Sequence, residues 1–225
     1  MIVLAFDTAT PRTAVALQTH DDAAPREAVH DPEPGERPGH TQRLLPLAAE
    51  LLRQEGLTFA ELDLIAVGLG PGTFTGLRIG VATARALAQA TGAELAGVSS
   101  LRALAANVQS PAALAVLDAR RGEAFVAGYA GDAEVLAPAA LAPDALQRLH
   151  APPDGGSWVA AGDGAVRFRD ALEHAGITVL PDIDPAHRIT ATAICRLARA
   201  PGTAERDEVA PVYVRAPDAT IQRRQ

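Results

Sequence analysis

Lysine is absent: all 20 basic side chains among the 225 residues are arginine. A Walker A loop is therefore excluded, because its lysine must reach the nucleotide phosphates. Schiff-base chemistry and a lysine general base are excluded with it. Cysteine is nearly as scarce. Cys195 stands alone in the apolar helical pattern Thr192–Ala198, which rules out an intrachain disulfide or cysteine metal site and predicts a buried, inert thiol. Aromatic residues make up only 4% of the chain, and alanine fills many expected core positions. No apolar run approaches the ~20 residues of a membrane span. Met1–Asp7 lacks the basic start and apolar length of a signal peptide, so a cytoplasmic location without membrane contact is expected. Positive charge is in deficit, with a net charge of −7 and a pI near 5.3. That balance argues against broad nucleic-acid binding by the chain alone, and the Arg223-Arg224 tail is too small to reverse it.

Hydrophobic residues make up 48% of the sequence, enough for one large domain or two small ones with real cores. Short apolar runs at Ile2–Phe6, Thr13–Gln18 and Arg26–His30, joined by turns, predict an antiparallel meander. The loop Asp31–Gly39 contains three prolines. Thr41–Glu55 then places Leu44, Leu47, Ala48, Leu51 and Leu52 on one helical face, with Pro46 disturbing the first turn. Thr58-Phe-Ala-Glu61 is a capping-box pattern. A strand at 64–67 and a helix over 76–90 follow, then a strand at 94–98 and a helix from the N-cap Ser99. Strands at 113–117 and 123–129, a helix at 143–149, a strand at 158–161, and helices at 165–175 and 192–200 complete the pattern. The order suggests two α/β halves with a seam near Ser99–Ser110.

The densest motif is Gly68-Leu-Gly-Pro-Gly-Thr-Phe-Thr-Gly-Leu-Arg-Ile-Gly80. Glycine admits positive φ and close backbone approach, so a strand-to-helix turn of this kind could cradle an anion at the helix N-terminus. It is a poor dinucleotide fingerprint, since Thr73 stands where the third glycine of G-x-G-x-x-G belongs. The other reading is packing. Gly76, Gly80, Ala84 and Ala88 recur every four residues, form a smooth stripe, and would let another helix approach closely. Thr75 is the expected N-cap. Packing is preferred over phosphate binding, and an exposed stripe would become a docking surface.

Few other residues invite chemistry. Asp7 closes the first strand and could hold a metal-bound water or form an Asx turn. His40 lacks a second ligand at i+4, where Leu44 stands, so capping or surface hydrogen bonding is expected instead of a metal. His20, His30, His150, His174 and His187 show no ligand spacing. Asp118 and Glu123 flank Arg120-Arg121 in what reads as a charged hairpin turn with weak local ion pairs. No serine has a G-x-S-x-G setting.

Four motifs occur in one order: Asp7-Thr8, His40-Thr-Gln-Arg-Leu-Leu-Pro46, Gly70-Pro-Gly-Thr-Phe-Thr-Gly-Leu-Arg-Ile-Gly80 and Asp118-Ala-Arg-Arg-Gly-Glu123. Together they resemble the bacterial TsaB (YeaZ) family, strongly to about residue 130 and weakly at Pro211-Val-Tyr-Val-Arg215. Thr73 stands where serine is more usual. The resemblance implies an α/β, actin-like (ASKHA) fold, with an N-terminal domain over 1–103 and a reduced C-terminal domain over 104–225. It implies a non-catalytic partner of the TsaD-type threonylcarbamoyltransferase, needed to modify the adenosine next to the tRNA anticodon. A TsaE-type ATPase joins that pair, tRNA is met only through the complex, and the isolated chain forms a homodimer.

The resemblance also implies no metal and no cofactor, with ATP or ADP only at a complex interface. Leu44 replaces the second histidine of the TsaD metal pair, and Asp7-Thr-Ala-Thr10 lacks the glycine of an ATPase phosphate hairpin. Leu44, Leu47, Leu51, Gly76, Gly80 and Ala84 are the expected partner-binding residues, and Gly80→Leu is expected to block pairing without unfolding the chain. Gly70, Pro71, Gly72, Thr73, Thr75, Gly76 and Arg78 form the structural glycine loop. The competing functions are an actin-like ATPase or small-molecule kinase, a metalloprotease, and a scaffold unrelated to tRNA.

Overall fold

The computed structural model describes residues 1–20, 24–33, 35–153, 155–198 and 209–215. The Arg223-Arg224 tail and the last two residues expected in the final helix lie outside them.

Two five-stranded sheets repeat one topology. In the first, β1 (Val3–Asp7), β2 (Thr13–Gln18) and β3 (Arg26–His30) form the expected meander. β4 (Leu64–Gly68) pairs parallel with β1, and β5 (Glu94–Val98) pairs parallel with β4. The second sheet repeats this with β6 (Ala112–Asp118), β7 (Ala124–Ala130) and β8 (Ala133–Leu141) as the meander. β9 (Val159–Ala161) and β10 (Thr178–Val179) are its parallel additions. A doubled sheet of this order is the actin-like arrangement that the motifs imply.

Side-chain alternation along the strands sets the layers. From the first sheet, Val3, Ala5, Leu64 and Ala66 face Ala113, Ala115 and Leu117 of the second. The space between is filled by α3 (Ser100–Ala105) and α7 (Ala191–Leu197). Leu4, Phe6, Ile65 and Val67 point the other way, into a layer made by α1 (His40–Gln54) and α2 (Phe74–Thr91). On the far side of the second sheet, Leu114, Val116 and Trp158 pack with Ala165 and Leu172. These belong to α5 (Asp163–Arg167) and α6 (Arg169–His174), which follow the single-turn α4 (Pro143–Leu146). Alanine dominates the middle layer, so the sheets and helices approach closely with few aromatics.

Several boundaries differ from expectation. The N-cap of α2 is Thr73, not Thr75. α1 runs unbroken through Pro46, which lies on its exposed side. The helix expected over 165–175 is two, divided at Phe168. β8 has no counterpart among the expected elements; it contains Pro138, and as an edge strand it tolerates the missing N–H. The change of sheet falls between Val98 and Ala112, yet the chain returns afterwards. α7 packs against β1 and β2, and Val209 is fully buried in the outer core of the first sheet.

Candidate functional site

The glycine loop is filled by the chain's own backbone. Asp7 ends β1 beside Gly68, where a Cβ would lie 1.8 Å from Asp7 Oδ2. Asp7 Oδ1 accepts the Ala9 N–H at 2.8 Å, which is the Asx turn. Oδ2 accepts the Ser100 hydroxyl at 2.6 Å, and Ser100 Oγ in turn accepts the Gly70 N–H at 3.1 Å. Burial raises the Asp7 carboxyl above its ordinary range, and the bonds from Ser100 and Ala9 oppose that shift. Gly70 has φ +99° and precedes the buried Pro71 through a cis peptide bond.

Beyond it, the turn after β1 presses into the glycines. A Cβ on Gly72 would sit 2.3 Å from Ala9 O, and the Thr73 N–H donates to that oxygen at 2.7 Å. On Gly76 it would sit 2.0 Å from Thr8 O, and on Gly80 2.4 Å from Thr8 Oγ1. The Thr8 hydroxyl closes the contact by donating to Gly76 O at 2.8 Å. These glycines are required by close packing.

That packing corrects the expected partner face. Gly76, Gly80 and Ala84 are buried against the chain's own β1–β2 turn and sheet, and Leu44 and Leu51 are buried beneath α1. Leu47 is half-buried. The small-residue stripe packs α2 onto its own domain, so Gly80→Leu would strike the core and is not a clean test of pairing. The exposed residues of the two helices are different ones and include Leu45 and Ala49 on α1, and Thr75, Arg78, Ala82, Arg85 and Ala86 on α2, with Ile79 half-buried.

A C-terminal segment borders this face, a feature missed in the sequence beyond its weak Pro211–Arg215 motif. The Val212 N–H donates to Leu69 O at 2.8 Å. The Tyr213 ring lies 5.6 Å from that of Phe74, and the Arg78 guanidinium sits 3.8 Å above the Phe74 ring. Arg78 Nε donates to Tyr213 Oη at 3.3 Å, and Arg215 pairs with Glu123 at 2.6 Å. Phe74, Val212 and Tyr213 are 45%, 45% and 41% exposed, an apolar patch at the start of α2.

The other candidates are structural. His40 is buried, not at the surface as expected, and its Nδ1 shares a 2.8 Å hydrogen bond with the Thr13 hydroxyl. Burial, and then His30, lowers its pKa. Asp118 pairs with Arg120 and Arg167 at 3.2 and 2.8 Å, and Arg120 and Arg121 both adopt positive φ in the turn to Glu123. Among the described residues, no cluster of three His, Cys, Asp or Glu side chains could hold a metal ion. Cys195 is fully buried. No described helix is long and apolar enough to cross a membrane.

Residues 32–198 match the family of TsaD, tRNA N6-adenosine threonylcarbamoyltransferase. The tRNA threonylcarbamoyladenosine biosynthesis protein TsaB of Escherichia coli is 30% identical over 96% of this chain and 95% of its own length. An uncharacterized protein of Mycobacterium tuberculosis is 35% identical over 96% of this chain and 93% of its own. The structure of YeaZ from Pseudomonas aeruginosa superposes with a TM-score of 0.77 at 27% identity, covering 94% of this chain and 100% of that one.

Proposed function

We infer that this chain, which belongs to the TsaB family, acts in tRNA threonylcarbamoyladenosine biosynthesis as the non-catalytic partner of a TsaD-type threonylcarbamoyltransferase. The observation that carries the partner role is the closed glycine loop. The spaces that glycine leaves at 72, 76 and 80 are occupied by the backbone and side chains of Thr8 and Ala9. The loop therefore works as a rigid support for α2, with little room left for a phosphate. ATP or ADP would bind only where a second protein completes a site. A TsaE-type ATPase joins the pair, tRNA is reached through the assembly, and the chain works in the cytoplasm.

The docking face we propose is the exposed side of α1 and α2, centred on Leu45, Ala49, Ile79, Ala82 and Ala86. Small side chains there let a partner helix approach with its backbone close. The same face would support a homodimer when the partner is absent. Ala82→Arg tests this without touching the core, since Ala82 is exposed. Sedimentation of the variant with the TsaD-type protein of the same organism is expected to show two separate species at unchanged thermal stability. A complex of wild-type affinity would remove this face from the account.

A further inference from the structure

Residues 64–93 contain no Asp or Glu in a chain that carries 27 acidic residues. This acid-free stretch includes the whole of α2, whose only charges are Arg78 and Arg85, both exposed. They lie two helical turns apart and so share a side of the helix. The carboxylates of α1 and of the turns that follow it up to Glu61 are already engaged. Glu50 binds Arg53 and Gln54, Glu55 binds Arg26, and Glu61 accepts the Thr58 N–H and hydroxyl. Among the described residues no carboxylate pairs with Arg78 or Arg85. Beside Arg78 lies the exposed patch of Phe74, Val212 and Tyr213. An acidic protein thus presents one positive, aromatic corner, and it borders the small-residue face of α2.

We propose that this corner is an electrostatic selector: Arg78 and Arg85 receive carboxylates of the partner protein, while Phe74 and Tyr213 pack against its apolar surface. The proposal rests on the partner role inferred above and adds the chemistry of the face that docks. Charge complementarity of this kind sets specificity and encounter rate. It also disfavours self-pairing. A two-fold homodimer brings the same patch of both copies together. Each copy then brings Arg78 and Arg85 and no free carboxylate from α2, so like charges meet. The two assemblies should respond to salt in opposite ways, because screening weakens attraction and relieves repulsion alike.

The test measures the affinity of the full-length chain for the TsaD-type protein of the same organism by calorimetry at 50 and at 500 mM NaCl, on the order of one decade apart around the physiological Debye length. Self-association is followed by sedimentation at the same salts. The wild-type pair is expected to weaken at high salt while the homodimer holds or tightens. Arg78→Glu/Arg85→Glu is expected to lose roughly tenfold or more in affinity, with a flattened salt response. Ala82→Arg serves as the reference for loss of the face itself. A reversal variant that binds as tightly as wild type, with the same salt slope, overturns the selector and leaves the partner role intact. Absence of any wild-type complex overturns the partner role first. Binding of purified tRNA to the isolated chain, lost in the reversal variant, would instead assign the corner to RNA and overturn the proposal.

Discussion

At the scale of single residues, Asp7 is the hub that joins β1, the glycine loop and α3. Ser100 serves it twice, donating to Asp7 Oδ2 and accepting from the Gly70 N–H. Ser100→Ala leaves both groups buried without a partner and should cost about 1–3 kcal/mol in a denaturant titration. The carboxyl itself has a testable pH signature. Its folded pKa lies above the ordinary 3.8, so the folded chain keeps a proton that the unfolded chain has released. This contribution to stability is largest below pH 3.8. It falls as pH rises toward the folded pKa and is flat beyond it. Asp7→Asn should remove that slope, and chemical denaturation followed upward from pH 3.8 would reveal it. The Asx turn at Asp7 was legible in the sequence. Its partner Ser100 was not, because the contact joins residues 93 positions apart, and no local pattern encodes that pairing. His40 shows the same limit: the missing i+4 ligand was readable, but its burial against Thr13 depends on the β2–α1 packing.

At the scale of elements, α2 has two unlike sides. Its inner stripe meets backbone, so Gly76→Ala forces a Cβ to within 2.0 Å of Thr8 O. Overpacking against an immovable neighbour should cost about 3 kcal/mol or more and lower expression of folded chain. On the outer side, Ala86→Arg should change stability by less than about 0.5 kcal/mol, as for an ordinary exposed position. Comparing the two by thermal melting separates structural glycine from docking surface. The four-residue spacing of small residues was plain in the sequence, and so was its role in packing. Which body it packs against was not, because a smooth stripe suits a sheet and a foreign helix equally. Strands β2 and β3 were read to the residue, since turn residues bound each short run at both ends. β8 escaped because Pro138 interrupts its run, although it pairs with the adjacent β7. The segment 209–215 escaped because it is held by partners distant in sequence rather than by its own periodicity.

At the scale of the whole molecule, two copies of one sheet topology enclose a middle layer of α3 and α7, and the segment 209–215 runs between the two sheets. Val209 fills the first outer core, Val212 hydrogen-bonds to Leu69, and Arg215 reaches Glu123 in the turn of the second sheet. This strap links the glycine loop and the start of α2 to the turn of the second sheet. The central claim is that the chain is needed by a partner's reaction. The direct measurement is threonylcarbamoylation of tRNA in a reaction rebuilt from the same organism's adenylate-forming enzyme, TsaD-type protein and TsaE-type ATPase, with this chain added or left out. The account predicts modification only when the chain is present, and none when Ala82→Arg replaces it. Modification that proceeds equally well without the chain would contradict it.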